Sequence, residues 1–230
     1  MKRILVAALV IGLTGLPAFA QKEQQDRLKI CGEVFREISH IPDNIPDSLI
    51  QKAVCVLVIP SVKKAAFVIG GSYGRGAITC RTGANLDGPW SAPAMYRLIE
   101  GNIGFQIGAE ATDYVLLVMN EGGAKAILKG KAKLGADASA AIGPVGRTAS
   151  AQTGETLDAQ VLSYSRSRGA FAGISLAGAN LQADDGDNEA LYGKSLTPME
   201  IVREGKVPPP ASAADFLAAV GEKSATRDKK

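Results

Sequence analysis

The residues of this chain that could support nucleophilic chemistry are one serine in a glycine-rich segment, one histidine and three cysteines. Residues 70–74 read Gly-Gly-Ser-Tyr-Gly and match the nucleophile elbow G-x-S-x-G around Ser72. That motif requires a strand-to-helix turn and a histidine later in the chain. The only histidine, His40, precedes Ser72, and the residues after position 74 have the pattern of another strand. The segment therefore predicts a glycine-rich hairpin, and we expect no catalytic residues.

Motifs for metals and cofactors are also missing from the sequence. A single histidine excludes multi-histidine metal sites, and neither a P-loop nor a dinucleotide-binding glycine motif occurs. Residues 184–189 are rich in acids but lack the register of an EF-hand loop, so they predict an acidic turn. We expect no metal site and no cofactor.

The first twenty residues have the features of a secretory signal peptide. Lys2 and Arg3 precede an apolar stretch at residues 4–15, and residues 18–20 (Ala-Phe-Ala) form a cleavage site. The apolar stretch is too short to span a bilayer comfortably. Residue 21 is glutamine, which argues against a lipoprotein. We expect a mature chain that starts at Gln21 and is periplasmic or secreted, with an uncleaved anchor as the alternative.

Export determines how the three cysteines are interpreted. The sequence contains no C-x-x-C pair, which argues against a thioredoxin-like role. In an oxidising compartment, three cysteines predict one disulfide and one buried thiol. Cys55 and Cys80 each lie in a separate strand-forming run, so we favour their pairing, with Cys31 as the competing partner.

The charge of the mature chain is balanced in total but not in distribution. Removing Lys2 and Arg3 from 26 Lys and Arg residues leaves 24, against 23 Asp and Glu residues. This balance argues against nucleic-acid binding. No acid lies between residues 48 and 86, which contain Lys52, Lys63, Lys64, Arg75 and Arg81. A second basic run contains Lys125, Lys129, Lys131 and Lys133. Most such charges are solvated surface, but the two stretches could also form one anion-attracting face.

The elements that position these residues follow from hydrophobic periodicity. Residues 22–39 predict an amphipathic helix, and a short helix follows around residues 49–50. Short apolar runs, separated by turn residues, then predict strands at 53–59 (ended by Pro60), 65–69, 76–80, 95–99, 103–107, 114–119, 136–142, 160–164 and 171–176. Further helices are predicted at 121–128, from the Thr197-Pro198 start to about 204, and at 213–220.

This pattern predicts an α+β fold. Its centre is a curled antiparallel meander, either a sandwich or barrel-like, with an N-terminal amphipathic helix and short C-terminal helices. The length of 230 residues fits a single domain. We assign residues 1–20 to the signal peptide, 21–222 to the domain and 223–230 to a flexible tail.

Several segments, in their order and spacing, resemble the SYLF lipid-binding domain family, which includes yeast actin-bundling proteins. The resemblance extends from about residue 30 to residue 220. The matching segments are residues 59–67, 71–76, 89–94, 104–108, 113–120, 143–147, 164–173 and 188–193. The resemblance implies a non-catalytic domain that binds anionic membrane lipid, in eukaryotic members often phosphoinositides.

The resemblance also implies which residues contact lipid. They are an apolar helix stripe (Leu28, Phe35 and Ile38) and basic residues at turns (Lys63, Lys64, Arg166 and Arg168), to which the acid-free stretch adds Arg75 and Arg81. The alternative for the stripe is packing against the sheet. A signal peptide separates the protein from actin and cytoplasmic phosphoinositides, so we expect neither partner. The competing function is a scaffold that binds envelope proteins at a sheet edge.

Overall fold

The computed structural model describes residues 16–41, 44–67, 69–102, 111–146, 158–167 and 170–224. Its helices are α1 (Leu16–His40), α2 (Asp47–Lys52), α3 (Glu121–Leu128), α4 (Asp185–Tyr192), α5 (Pro198–Val202) and α6 (Ala214–Lys223), the last preceded by a 3₁₀ turn (Ala211–Ala213). Its strands are β1 (Cys55–Phe67), β2 (Ile69–Cys80), β3 (Ala94–Asn102), β4 (Ala111–Val118), β5 (Lys131–Lys133), β6 (Ala140–Ile142), β7 (Val161–Ser167), β8 (Ala170–Gly173) and β9 (Asn180–Ala183).

The described strands form one sheet in the order β5-β9-β3-β2-β1-β4-β7-β6, and β8 pairs with the second half of β7. All pairs are antiparallel except β6 with β7. The two ends of this order, β5 and β6, are connected by residues 134–139 alone, so the sheet curls into a half-barrel. The predicted α+β fold, with its curled antiparallel meander and flanking helices, is confirmed.

Two hydrophobic cores lie on opposite faces of the sheet, and β1 contributes to both. Alternate residues of a strand point to opposite faces. Cys55, Leu57 and Ile59 belong to the inner core, which α3 and α5 complete, whereas Val56 and Val58 belong to the outer core. Burial on both faces explains why residues 53–59 form an uninterrupted apolar run.

The outer core lies beneath α1. The Cys31 thiol donates a hydrogen bond to the Val58 carbonyl (3.5 Å), which joins the helix to the central strand. On its other side α1 crosses α6 closely, since a Cβ added at Gly32 would lie 2.8 Å from the backbone nitrogen of Phe216. The helix is thus a part of the core. Within the described residues, no helix is long and apolar enough to cross a membrane.

The prediction that Pro60 ends the first strand is wrong. β1 continues to Phe67 through a bulge at residues 59–62, where pairing to both neighbouring strands is interrupted. Proline is tolerated in strands at bulges, because its missing N–H is not needed there. Ser61 adopts the left-handed region (φ 50°), and its N–H donates to Asp113 Oδ1 (2.9 Å).

The glycine-rich segment at residues 70–74 belongs to a hairpin as predicted, formed by β1 and β2, but it lies inside β2 and is not the turn between two strands. The glycines are required by the bulge of the neighbouring strand. A Cβ at Gly76 would lie 1.9 Å from the Val58 carbonyl oxygen, and a Cβ at Gly74 would lie 2.6 Å from a methyl group of Val62. Ser72 is buried in this strand, not displayed on a strand-to-helix turn, so the nucleophile-elbow geometry is absent.

Three other predictions have mixed outcomes. The helix at 121–128 and the helix start at Thr197 are confirmed, the latter by a capping box with Glu200. The acidic turn at 184–189 is wrong, because Asp184 caps α4 by accepting a hydrogen bond from the N–H of Asp187.

β5 and β9 were missed, since three or four residues show too little periodicity. The predicted strand at 103–107 lies outside the described residues, as does the signal peptide up to residue 15.

A disulfide joins Cys55 and Cys80, which are directly opposite each other in the β1–β2 pair. This is the pairing favoured from the sequence. Cys31 is a free, buried thiol on the opposite face of the sheet.

Candidate functional site

The predicted lipid-contacting stripe of α1 lies inside the outer core. The side chains of Leu28, Phe35 and Ile38 have no exposed surface. These three side chains therefore pack against the sheet, which is the alternative given in the sequence analysis. Ile30, on another side of α1, is 43% exposed.

Arg75 reaches the N-terminal part of α1 and the start of α4. Its guanidinium lies 3.3 Å from Glu23, 3.5 Å from Asp184 and 3.8 Å from Asp187. It also donates a hydrogen bond to the Tyr73 hydroxyl (2.7 Å), which is the main reason that the pKa of Arg75 is raised. The acids that neutralise Arg75 come from distant parts of the sequence.

Arg81 is buried and holds Ser224, the residue that follows α6. Its guanidinium lies 4.3 Å from the centre of the Trp90 ring and donates to the carbonyl oxygens of Ser224 (2.5 Å) and Gly88 (3.3 Å). Trp90 donates to the same Ser224 carbonyl (3.2 Å). The Arg81 side chain has no exposed surface, so it cannot contact a membrane in this structure.

Arg166 lies in β7, not in the predicted turn. It donates to Asp113 Oδ2 (2.7 Å) and to Glu37 of α1. Burial alone would lower the pKa of Arg166, but these two hydrogen bonds outweigh it and raise the pKa. β4 separates Arg166 from Lys63 on β1, so the structure does not bring these two residues together around one ligand. The side chain of Lys64 and all of Arg168 lie outside the described residues.

A different set of cations lies together on the outer face of the sheet. Residues directly opposite each other on neighbouring strands share a face. One row across β1, β2, β3, β9 and β5 consists of Lys63, Tyr73, Ile99, Asn180 and Lys133. The next row, starting at β2, consists of Arg75, Arg97, Gln182 and Lys131. We call Lys63, Tyr73, Arg97, Ile99, Lys131 and Lys133 the basic sheet face.

The basic sheet face is open to solvent. Its three lysines are exposed, and Tyr73 and Ile99 retain 43% and 36% of their accessible surface. Arg97 is half-buried, and its Nε has no hydrogen-bond partner. Within the described ranges, none of the four cations forms an ion pair with a carboxylate. Asp137 accepts a hydrogen bond from the backbone N–H of Lys133 (2.7 Å), not from its ammonium group.

This face joins the two basic stretches of the sequence. Lys63 comes from the acid-free stretch at 48–86, and Lys131 and Lys133 come from the second run. Arg97, Tyr73 and Ile99 were missed. They share a face because β2 and β3 pair in unbroken register, and that pairing is not visible in the sequence.

Comparison with known proteins places these observations in a family. Residues 99–223 match the family model described as Ysc84, Las17-binding protein actin regulator. The chain is 37% identical over 172 residues to an SH3 domain-containing protein of Schizosaccharomyces pombe, covering 74% of this chain and 39% of that protein. It is 35% identical over 205 residues to SH3 domain-containing YSC84-like protein 1 of Rattus norvegicus, covering 87% and 58%.

A third relative is LAS seventeen-binding protein 3 of Saccharomyces cerevisiae, which is 32% identical over 171 residues, covering 73% of this chain and 36% of that protein. The chain thus spans about 36% to 58% of the length of these relatives. Their names describe binding or regulatory proteins, not enzymes, which is consistent with a non-catalytic binding domain.

Proposed function

The chain belongs to the Ysc84 family, whose domain is also called SYLF, and we propose that it is an exported, non-catalytic domain that binds anionic lipid headgroups. The observation that carries this proposal is the basic sheet face. It combines four cations that form no ion pair with any described carboxylate and two exposed side chains, Tyr73 and Ile99, on one surface.

The charges on this face are sufficient for a measurable affinity. A Lys or Arg close to an anionic membrane contributes about 1 kcal/mol. The four cations therefore contribute at most about 4 kcal/mol, before the cost of association. Because the attraction is screened over about 10 Å at 0.1 M salt, binding should weaken as salt is added.

Export is supported by the pattern of residues 1–20 and by the chemistry of the disulfide. Disulfides persist in oxidising compartments such as the periplasm, and Cys55 and Cys80 are paired. The test is mass spectrometry of the protein recovered from the exported fraction of expressing cells. We expect a chain that starts at Gln21, and a retained Met1 in that fraction would refute cleavage.

Lipid binding is tested by co-sedimentation of residues 21–230 with vesicles of phosphatidylglycerol, compared with phosphatidylcholine. We expect the parent to bind the anionic vesicles at low salt and the double variant Lys63→Glu/Lys131→Glu to lose most of that binding. The matched control is Lys125→Glu/Lys206→Glu, which makes the same change in net charge at lysines that pair with glutamates elsewhere. Equal loss in both double variants would contradict a role for this face.

A second candidate is a scaffold that binds a protein partner. The relatives that are named for Las17 binding or for SH3 domains support this alternative. Strand addition at a sheet edge is less favourable here, since β5 and β6 have only three residues each. Actin is not expected for an exported chain. If the chain binds none of the vesicles tested at low salt, the scaffold function is favoured.

A further inference from the structure

We propose that the basic sheet face recognises an assembled anionic bilayer surface and not a single lipid headgroup. This inference rests on the proposed function and specifies its ligand. It follows from the spacing of the cations, from the apolar side chains between them and from the burial of the α1 stripe.

The four cations are too widely spaced to surround one phosphate together. Lys63 and Lys133 are at opposite ends of a row that crosses five strands, and four steps of about 4.8 Å separate their Cα atoms by about 19 Å measured along the curled sheet. Arg97 and Lys131 are two strands apart, or about 10 Å. A phosphate oxygen accepts hydrogen bonds only from donors within about 3 Å. The long side chains of Arg97 and Lys131 can converge on one phosphate, but Lys63, at the far end of the row, is too distant to join them. The four charges are therefore suited to contact several headgroups at once.

The centre of the face is apolar. Tyr73 and Ile99 are directly opposite each other on β2 and β3, and they lie between Lys63 at one end of the row and Lys133 at the other. Exposed tyrosine and aliphatic side chains flanked by lysine are typical of surfaces that enter the interfacial region of a membrane. A soluble phosphate ester would leave both side chains in water, whereas a bilayer would cover them.

The apolar stripe of α1 does not provide this contact in the folded protein. Leu28 and Phe35 are fully buried, and ion pairs join α1 to the rest of the fold near both ends, through Arg27 with Asp187 and Glu37 with Arg166. Contact with a bilayer is therefore left to the exposed side chains of the sheet face, beside α1.

The test measures binding of the mature chain to phosphatidylcholine vesicles that contain increasing fractions of phosphatidylglycerol. We expect binding to rise more steeply than in proportion to the anionic fraction, because several headgroups are engaged together. An excess of free glycerol 3-phosphate should not compete. Ile99→Ser, and separately Tyr73→Ser, should each weaken binding by several-fold, with circular dichroism unchanged. Ile142→Ser, at an exposed isoleucine on β6 (53%), is the matched control and should bind as the parent does.

The outcomes separate this inference from the proposed function. Binding to anionic vesicles that glycerol 3-phosphate abolishes, or that neither Ile99→Ser nor Tyr73→Ser alters, would overturn the bilayer-surface inference and leave headgroup binding intact. Absence of binding to any anionic vesicle would overturn the proposed function itself. Retention on immobilised polyglutamate without vesicle binding would overturn both in favour of an acidic protein partner.

Discussion

Asp187 holds α1 against the sheet, and we expect Asp187→Asn to destabilise the fold strongly. Its carboxylate accepts hydrogen bonds from Gln24 (2.8 Å) and from Arg27, both on α1, and lies 3.8 Å from Arg75 on β2. The substitution preserves the size of the side chain and removes the charge that these two arginines share.

The magnitude follows from the burial of the pair. The side chains of Arg27 and Asp187 are only 12% and 11% exposed. Removing one partner of such a buried ion pair costs about 3–5 kcal/mol. Glu23, which is 60% exposed, remains 2.6 Å from Arg27 and 3.3 Å from Arg75, so we take the lower end, about 3 kcal/mol. With a slope of about 2 kcal/mol per molar urea, the unfolding midpoint should fall by about 1.5 M.

The assay is urea unfolding of oxidised residues 21–230, followed by circular dichroism. Glu121→Gln is the control, since its partner Lys125 is in an exposed i,i+4 pair, and we expect no measurable change there. If Asp187→Asn unfolds at the urea concentration of the parent, the carboxylate does not anchor α1 and the argument is wrong.

Three further outcomes are expected. Removing the disulfide with Cys55→Ala/Cys80→Ala should lower the free energy of unfolding by about 3 kcal/mol, measured in urea, because the bond closes a loop with a sequence separation of 25. Burial raises the pKa of the Cys31 thiol from 9.0 to about 12, so its thiolate is scarce at neutral pH. A disulfide-exchange reagent should modify it at least about a thousandfold more slowly in the native chain than in urea. Gly76→Ala should cost about 3 kcal/mol or more, because its Cβ would overlap a backbone carbonyl, whereas Gly101→Ala, which meets nothing within 4 Å, should show no such clash penalty in thermal unfolding.

The sign of the pH dependence of Cys31 follows from its raised pKa. The folded state keeps the thiol proton up to about pH 12, whereas the unfolded thiol loses it near 9.0. The folded chain therefore binds more protons in this window, and Cys31 makes stability fall as pH rises from about 9 toward 12. Below that window both states are protonated and Cys31 contributes no pH dependence.

Features set by neighbouring residues could be predicted from the sequence, and features set by distant strands could not. The helix at Thr197 is specified locally, since Glu200 lies one turn later and completes the capping box. The passage of β1 through Pro60 is not, because the bulge depends on Asp113 of β4 and on the space above Gly76 of β2. A proline considered alone indicates a strand end.

The residues predicted from the sequence to contact lipid show the same limitation. The acid-free stretch correctly marks a basic part of the sequence, yet its arginines are engaged in the fold. Arg75 meets acids from α1 and α4, and Arg81 is enclosed beside Trp90. Local charge composition cannot reveal this, since an ion pair can join residues more than a hundred positions apart, as Arg27 and Asp187 do.

The cations that remain for a ligand are determined by where the helices lie on the sheet. Glu23 and Glu37 of α1 and Asp187 of α4 bring carboxylates onto the outer face, and arginines beneath these helices become structural. In the part of the chain that the structure describes, no helix carboxylate pairs with Lys131 or Lys133, and both lysines are exposed to solvent. The surface that we propose for anion binding is therefore the part of the sheet that the helices leave uncovered. For the same reason, a substitution on that surface should change binding without the loss of stability that Asp187→Asn produces.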